Sequence, residues 1–256
     1  MSDSEEDVRM DNYSDNITNR KCQKQQSSLV RLALSAEGRR TALRKDEITK
    51  KCNISGKDEL LAAIDGANDI LRSTLGYELR ELPPKESAKL EDIPPKTGTR
   101  AYALINTAEQ PNNQSEAFSR HENIGHIGIL HSILAIIYGN GGIVSDVQLT
   151  SNLKKLGISK DQPLPGEGRV FLDSFLSTLS RQNYLEKKKS NVGNHDYEYS
   201  WGSRAIVEIG ENNISRFILE IINKSRNSNM NSEAAAEIDK KILDDLQRGV
   251  GHKYNS

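Results

Sequence analysis

The sequence predicts a mostly helical α+β chain of two small domains, each with three helices followed by a β-hairpin. Three observations predict it. Apolar residues recur at helical spacing in two separate blocks. Each block runs on into two alternating, strand-like segments. Polar, Pro- and Asn-bearing stretches separate the blocks.

Residues 1–26 are rich in Asp, Glu, Ser, Asn and Gln, and are expected to form a disordered acidic tail. Ser2 and Ser4 beside acidic residues fit a phosphorylated tail or a merely solubilising one. The first domain is expected over 27–107. Leu29, Leu32 and Leu34 open it on a helix that Ser27 or Ser28 caps and Glu37-Gly38 ends. Residues 45–52 form a short second helix. Leu60, Leu61, Ile64, Ala67, Ile70, Leu71 and Leu75 mark a third, closed by Gly76. Strand-like runs follow at Tyr77–Leu82 and Ala101–Ile105. The prolines between them, Pro83-Pro84 and Pro94-Pro95, belong to a long tip.

Residues 108–122 read as a linker, and the second domain spans 123–226. Ile127, Leu130, Leu134, Ile137 and Tyr138 share one helical face, and Ile129, Ile133 and Ile136 share another, so this helix is a buried one. Ser145 caps the next helix, with Leu149, Leu153 and Leu156. Phe171, Leu172, Phe175, Leu176 and Leu179 mark a third. Tyr184–Lys188 and Tyr197–Trp201 alternate around a polar turn at Asn191–Asn194. Ile214, Phe217, Ile218, Ile221 and Ile222 make a last helix. The tail, 227–256, carries Ala235, Ile238, Ile242 and Leu246 on one stripe of a helix that is marginal alone. This order is the layout of two winged helices, and it also fits other small α+β modules.

Composition removes several functions. Aromatic residues make up only 5% of the 256-residue chain, too few for a wide base-stacking platform. A formal charge of −1 leaves no global pull toward nucleic acid or acidic lipid, so any basic surface is local. Cys22 and Cys52 make no disulfide framework. No leader is visible, and the apolar stretch Ile127–Tyr138 is shorter than the roughly 20 residues of a membrane span. An intracellular, reduced setting is expected.

No catalytic constellation presents itself. His121-Glu122-Asn123-Ile124-Gly125-His126 resembles a zincin motif, but its histidines are spaced off one helical face. Gly139-Asn140-Gly141-Gly142 lacks the end of a phosphate loop. Gly166-Glu167-Gly168 lacks the third glycine of a dinucleotide fingerprint. Neither a metal nor a cofactor is expected. Trp201 is either a partner anchor or a core residue, and its alternation with Tyr197 and Tyr199 favours the core. Arg204 is expected to pair with a carboxylate such as Glu208.

The run Tyr197-Glu198-Tyr199-Ser200-Trp201-Gly202-Ser203-Arg204-Ala205 closely resembles the Tyr-Glu-Phe-x-Trp-Gly-Pro-Arg-Ala signature of the MAGE homology domain. Gln182–Glu186, Leu29–Leu34 and Ala101–Asn106 are similar to that family's other conserved stretches. Ser203 stands where the signature has proline. Ala33-Leu34 stands where many members have Leu-Leu.

The resemblance implies two tandem winged-helix domains in a non-enzymatic chain. It is nearest to the MAGE-type subunit of the structural-maintenance-of-chromosomes five-six complex, in a form more like a fungal single-copy member. Such a subunit pairs with a RING-domain subunit and a kleisin subunit, supports ubiquitin transfer by the former, and binds double-stranded DNA with them in the nucleus, on chromatin. Leu29, Leu32, Ala33 and Leu34 are then the expected RING contact, and Phe217, Ile218 and Ile221 the kleisin contact. Arg181, Lys187, Lys188 and Lys189, extended by Lys154 and Lys155, are the expected phosphate contacts. The helix before the hairpin exposes Asp173, Ser174, Ser177 and Thr178, a poor set for reading bases, so binding without sequence preference is expected. The alternatives are a solvated charged hairpin, a sequence-specific winged-helix transcription factor, and a metal-dependent hydrolase around His121 and His126.

Overall fold

The computed structural model describes residues 3–84, 100–107, 124–166, 168–190, 197–225 and 232–250. The chain is a mostly helical mixture of α and β structure. It divides into two compact units, Met1–Glu109 and Gln110–Ser256.

The first unit contains α1 (Asp3–Gly38), β1 (Leu43–Arg44), α2 (Lys45–Cys52), α3 (Lys57–Leu75), β2 (Tyr77–Glu81) and β3 (Ala101–Asn106). The three strands form an antiparallel sheet in the order β1-β3-β2. Gly76 adopts φ 67° and its N–H bonds to the Leu71 carbonyl, the left-handed stop that the spacing predicts. The core gathers Leu29, Leu43, Ile48, Leu60, Leu71 and Leu104.

The helix α1 starts at Asp3, within the residues expected as a tail, so Ser27 and Ser28 lie inside it and do not cap it. Leu29, Leu32, Ala33 and Ala36 anchor the C-terminal part of α1 in the core, while residues 21–25 ahead of them are tied down by polar contacts. Lys21 Nζ lies 2.7 Å from Glu59. The buried Gln25 amide donates to the Asn53 carbonyl at 2.8 Å and to Glu59 at 2.9 Å. A composition argument that looks for apolar residues passes over such a segment.

The second unit contains α4 (Ile124–Gly139), β4 (Ile143–Ser145), α5 (Asp146–Lys155), α6 (Leu172–Arg181), β5 (Leu185–Lys189), β6 (Tyr197–Trp201), α7 (Ser203–Glu208), α8 (Gly210–Ser225) and α9 (Ser232–Val250). Its antiparallel sheet runs β4-β6-β5. Ser145 caps α5 as expected: its hydroxyl accepts the Gln148 N–H, and the Gln148 side chain accepts the Ser145 N–H. The apolar residues of α4 sit at the centre of the core with Leu149, Leu153, Phe175, Leu179 and Trp201. The tail stripe forms α9, which packs against α4 and α8. The expected linker at 108–122, the tip around Pro94-Pro95 and the turn at Asn191–Asn194 lie outside the described residues.

Candidate nucleic-acid and partner surfaces

Period-two alternation gives the β5–β6 hairpin two different faces. Lys187 pairs across the ladder with Tyr199, and Lys189 with Tyr197. Both lysines are exposed. The Lys187 ammonium sits 3.9 Å from the centroid of the Tyr197 ring and 5.6 Å from that of Tyr199. The charge thus rests against the aromatic rings of β6. Tyr199 is buried, and burial, reinforced by the Asp146 and Asp173 carboxylates, pushes its hydroxyl up to about 12.

Lys188 is on the other face. It pairs across the ladder with Glu198, and its ammonium lies 3.5 Å from Glu186. Ser190 also donates to Glu198. The expected lysine run is therefore divided: two cations share an aromatic face and the third sits among acids.

The remaining expected cations are spread out. Arg181 is exposed at the end of α6, beside the base of β5. Lys154 and Lys155 are exposed at the far end of α5. The near end of α5 adjoins β6 through the Ser145–Glu198 pair. At about 1.5 Å per residue, the helix carries these lysines roughly 12 Å away from it.

The sequence reading missed the groups at the starts of α5 and α6. Lys160 bridges Asp146 at 3.1 Å and Asp173 at 3.6 Å. Burial works against its charge, but the two carboxylates outweigh burial and raise its pKa. With side-chain exposure of 74%, Asp173 leaves an exposed carboxylate at the start of α6. No sequence spacing would have joined Lys160 to Asp146 and Asp173.

The signature residues hold the hairpin in place. Trp201 is buried, stacks on Tyr138 at 5.6 Å, and donates its indole N–H to the Leu134 carbonyl at 3.0 Å. At Gly202 a Cβ would collide with the Asn183 carbonyl and the Tyr184 backbone. Arg204 is fully buried; its Nε donates to Glu208 at 2.6 Å, and its guanidinium lies over the Tyr184 ring. The Tyr184 hydroxyl donates to the same Glu208 carboxylate at 2.8 Å. The expected Arg204–Glu208 pair and the core role of Trp201 are both present.

Of the expected RING contacts, Leu29, Leu32 and Ala33 are core residues of the first unit, and only Leu34 is exposed. An α-helix of 3.6 residues per turn turns Leu29, Leu32 and Ala33 inward together and Leu34 away from them. The first three thus fill the core of their unit, and Leu34 is the member of the set on the outside. On α8, Phe217 is half-buried against His131, Ile218 packs on the core rim, and Ile221 is exposed.

His126 packs edge-on against Phe175, while His121 and Glu122 lie outside the described residues. Among the described residues no group of three His, Cys, Asp or Glu side chains is placed to hold a metal. None of their helices is long and apolar enough to cross a membrane.

The MAGE homology domain matches residues 29–212. Curated proteins similar to the chain include the human "Non-structural maintenance of chromosomes element 3 homolog", 24% identical over 201 residues, 77% of this chain and 60% of that protein. The mouse protein of the same name is 23% identical over 77% of this chain and 66% of its own length. Human "MAGE-like protein 2" is 24% identical over 79% of this chain but only 15% of its own length. The chain thus spans less than two thirds of the human relatives. Among solved structures, a chain of the "Nse1-Nse3-Nse4 complex" superposes with a TM-score of 0.68 at 18% identity, covering 90% of this chain and 98% of that one.

Proposed function

The chain belongs to the MAGE homology domain family, and from this premise we propose that it is a non-catalytic scaffolding subunit of a chromosome-maintenance and DNA-repair complex, built on two tandem winged-helix domains. The observation that carries this reading is the family match over residues 29–212 together with relatives named as a non-structural element of chromosome maintenance. The element order of helix, short strand, two helices and hairpin in both units supports the winged-helix assignment.

In this reading the chain joins a RING-type and a kleisin-type subunit in the nucleus and supports ubiquitin transfer by the first. Leu34 on α1 is what remains of the expected RING contact. Phe217, Ile218 and Ile221 on α8 face the kleisin. Double-stranded DNA meets the Lys187 and Lys189 face, with Arg181, Lys154 and Lys155 as outlying contacts. The cations reach phosphate and not base edges, so binding is indifferent to sequence. The acidic start of α6 argues against a sequence-reading transcription factor.

Affinity purification from the chain's own cell extract tests the assembly. A RING-type and a kleisin-type protein are expected to co-purify. Recovery of neither from a folded bait refutes the subunit reading.

A further inference from the structure

The helix α9 is held differently from every other helix of its unit. No side chain of Ala235–Gly249 is fully buried. Ile238 is 41% exposed, and Ile242, Leu243 and Leu246 are half-buried. The helices α4, α5, α6, α7 and α8 each send buried side chains inward. Among the described contacts, α9 is tied to its neighbours at both a polar and a backbone point. Asn223 on α8 donates to Asp239 at 3.1 Å. The Gly249 carbonyl approaches Gly141 so closely that a Cβ there would stand 3.1 Å from it.

What α9 sits on is strongly apolar. The stretch Ile124–Gly139 holds no Lys, Arg, Asp or Glu. One side of α4 is filled by the core, and α8 and α9 pack on the helix as well. Leu246 reaches the core rim, which also includes Ala135, Ile136 and Ile218. Lifting α9 would bare apolar surface of α4, and α8 already exposes Ile221.

We propose that α9 is a displaceable occupant of the α4–α8 face, and that the amphipathic helix of a kleisin-type partner competes with it for that seat. This rests on the reading that such a partner contacts α8. The resident helix shows what fits: apolar residues at Ala235, Ile238, Ile242 and Leu246, with Lys240, Lys241, Asp244 and Asp245 among the remaining positions. A helix of this length is marginal in water on its own, so a shallow seat lets it leave readily.

The test uses the full chain, the co-purified kleisin-type partner and a synthetic peptide of residues 232–250. Ile242→Asp with Leu246→Asp loosens α9. The double variant is expected to bind both the partner and the peptide about tenfold tighter than wild type, because more of it is open. Hydrogen exchange on the wild type needs no variant. Adding the partner is expected to speed exchange in α9 and slow it in α4 and α8. Partner binding that is equal in both forms, with α9 exchange unchanged or slowed, overturns the competition while leaving the subunit reading intact. Peptide binding to the double variant with no partner binding to any form refutes the subunit reading, and the competition with it.

Discussion

As far as the hairpin the two units share one order of elements and one sheet order, yet they lock their hairpins by different chemistry. In the first unit the lock is polar. The buried Asn68 on α3 accepts the Leu79 N–H at 2.7 Å and donates to the Leu79 carbonyl at 3.2 Å, spanning one residue of β2. In the second unit the lock is aromatic and ionic, with Trp201 stacked on Tyr138 and Arg204 held by Glu208 and Tyr184. Their hairpin surfaces differ too. In β2, Glu78 is paired with Arg72 and Arg80, so its charge is internally balanced. In β5, alternation sorts Lys187 and Lys189 to one face. A shared topology thus leaves both the lock and the outward surface free to diverge.

The comparison predicts a graded series of stability losses. Trp201→Ala removes the largest single filler of the second core and is expected to cost about 3–5 kcal/mol, read by denaturant unfolding. A cost below about 1 kcal/mol would place the lock elsewhere. Arg204→Met is expected to cost about 2–3 kcal/mol, less than a fully buried pair, because the Glu208 side chain keeps 23% exposure. Asn68→Ala leaves the Leu79 N–H and carbonyl unmet, with an expected cost of about 1–2 kcal/mol. If Asn68→Ala proves more damaging than Trp201→Ala, the ranking of the two locks is reversed.

The smallest expected effects are pH limbs of opposite sign. Bonds from Lys21, the Ser55 N–H and Gln25 hold the Glu59 carboxyl down to about 2. Its folded value lies below its unfolded one, so its contribution is present above the usual carboxylate range and is lost as pH falls toward 2. Glu59→Gln should flatten this acid limb in thermal melts. Tyr199 is raised from 10 to about 12, so its contribution is present below pH 10 and lost as pH climbs toward 12. Tyr199→Phe should flatten the alkaline limb and leave the acid one alone.

Much of this fold was legible in the sequence, because long periodic segments announce themselves. The helices at 45–52 and after Gly56, the Ser145 cap and both hairpins stand where spacing puts them. The edge strands Leu43–Arg44 and Ile143–Ser145 were not legible, since two or three residues carry no period. The helical character of residues 21–25 was hidden because polar contacts of Lys21 and Gln25 with Glu59 and the Asn53 carbonyl tie them down. The candidate surfaces were less legible than the fold. Counting four cations between Arg181 and Lys189 ignored the strand alternation that turns Lys188 toward Glu186 and Glu198. Matching Leu29–Leu34 to a partner contact ignored the helical turn that buries three of the four. The Asp146–Lys160–Asp173 bridge needed tertiary structure to be seen at all.

The claim that one hairpin face carries a phosphate-binding surface is open to a single comparison. Wild type, Lys187→Glu with Lys189→Glu, and Lys188→Glu alone would be titrated on random-sequence duplexes at several salt concentrations. The double variant is expected to lose affinity for all sequences alike, with the salt dependence reduced by about 2 from the roughly 0.9 per neutralised phosphate. Lys188→Glu should change little, because that lysine already sits beside Glu186. The double variant should keep its fold, since exposed lysines contribute within about 0.5 kcal/mol, and circular dichroism checks the fold of Lys188→Glu, which sets a carboxylate beside Glu186 and Glu198. Unchanged affinity and slope in the double variant, or an equal loss from Lys188→Glu, would contradict the two-faced hairpin.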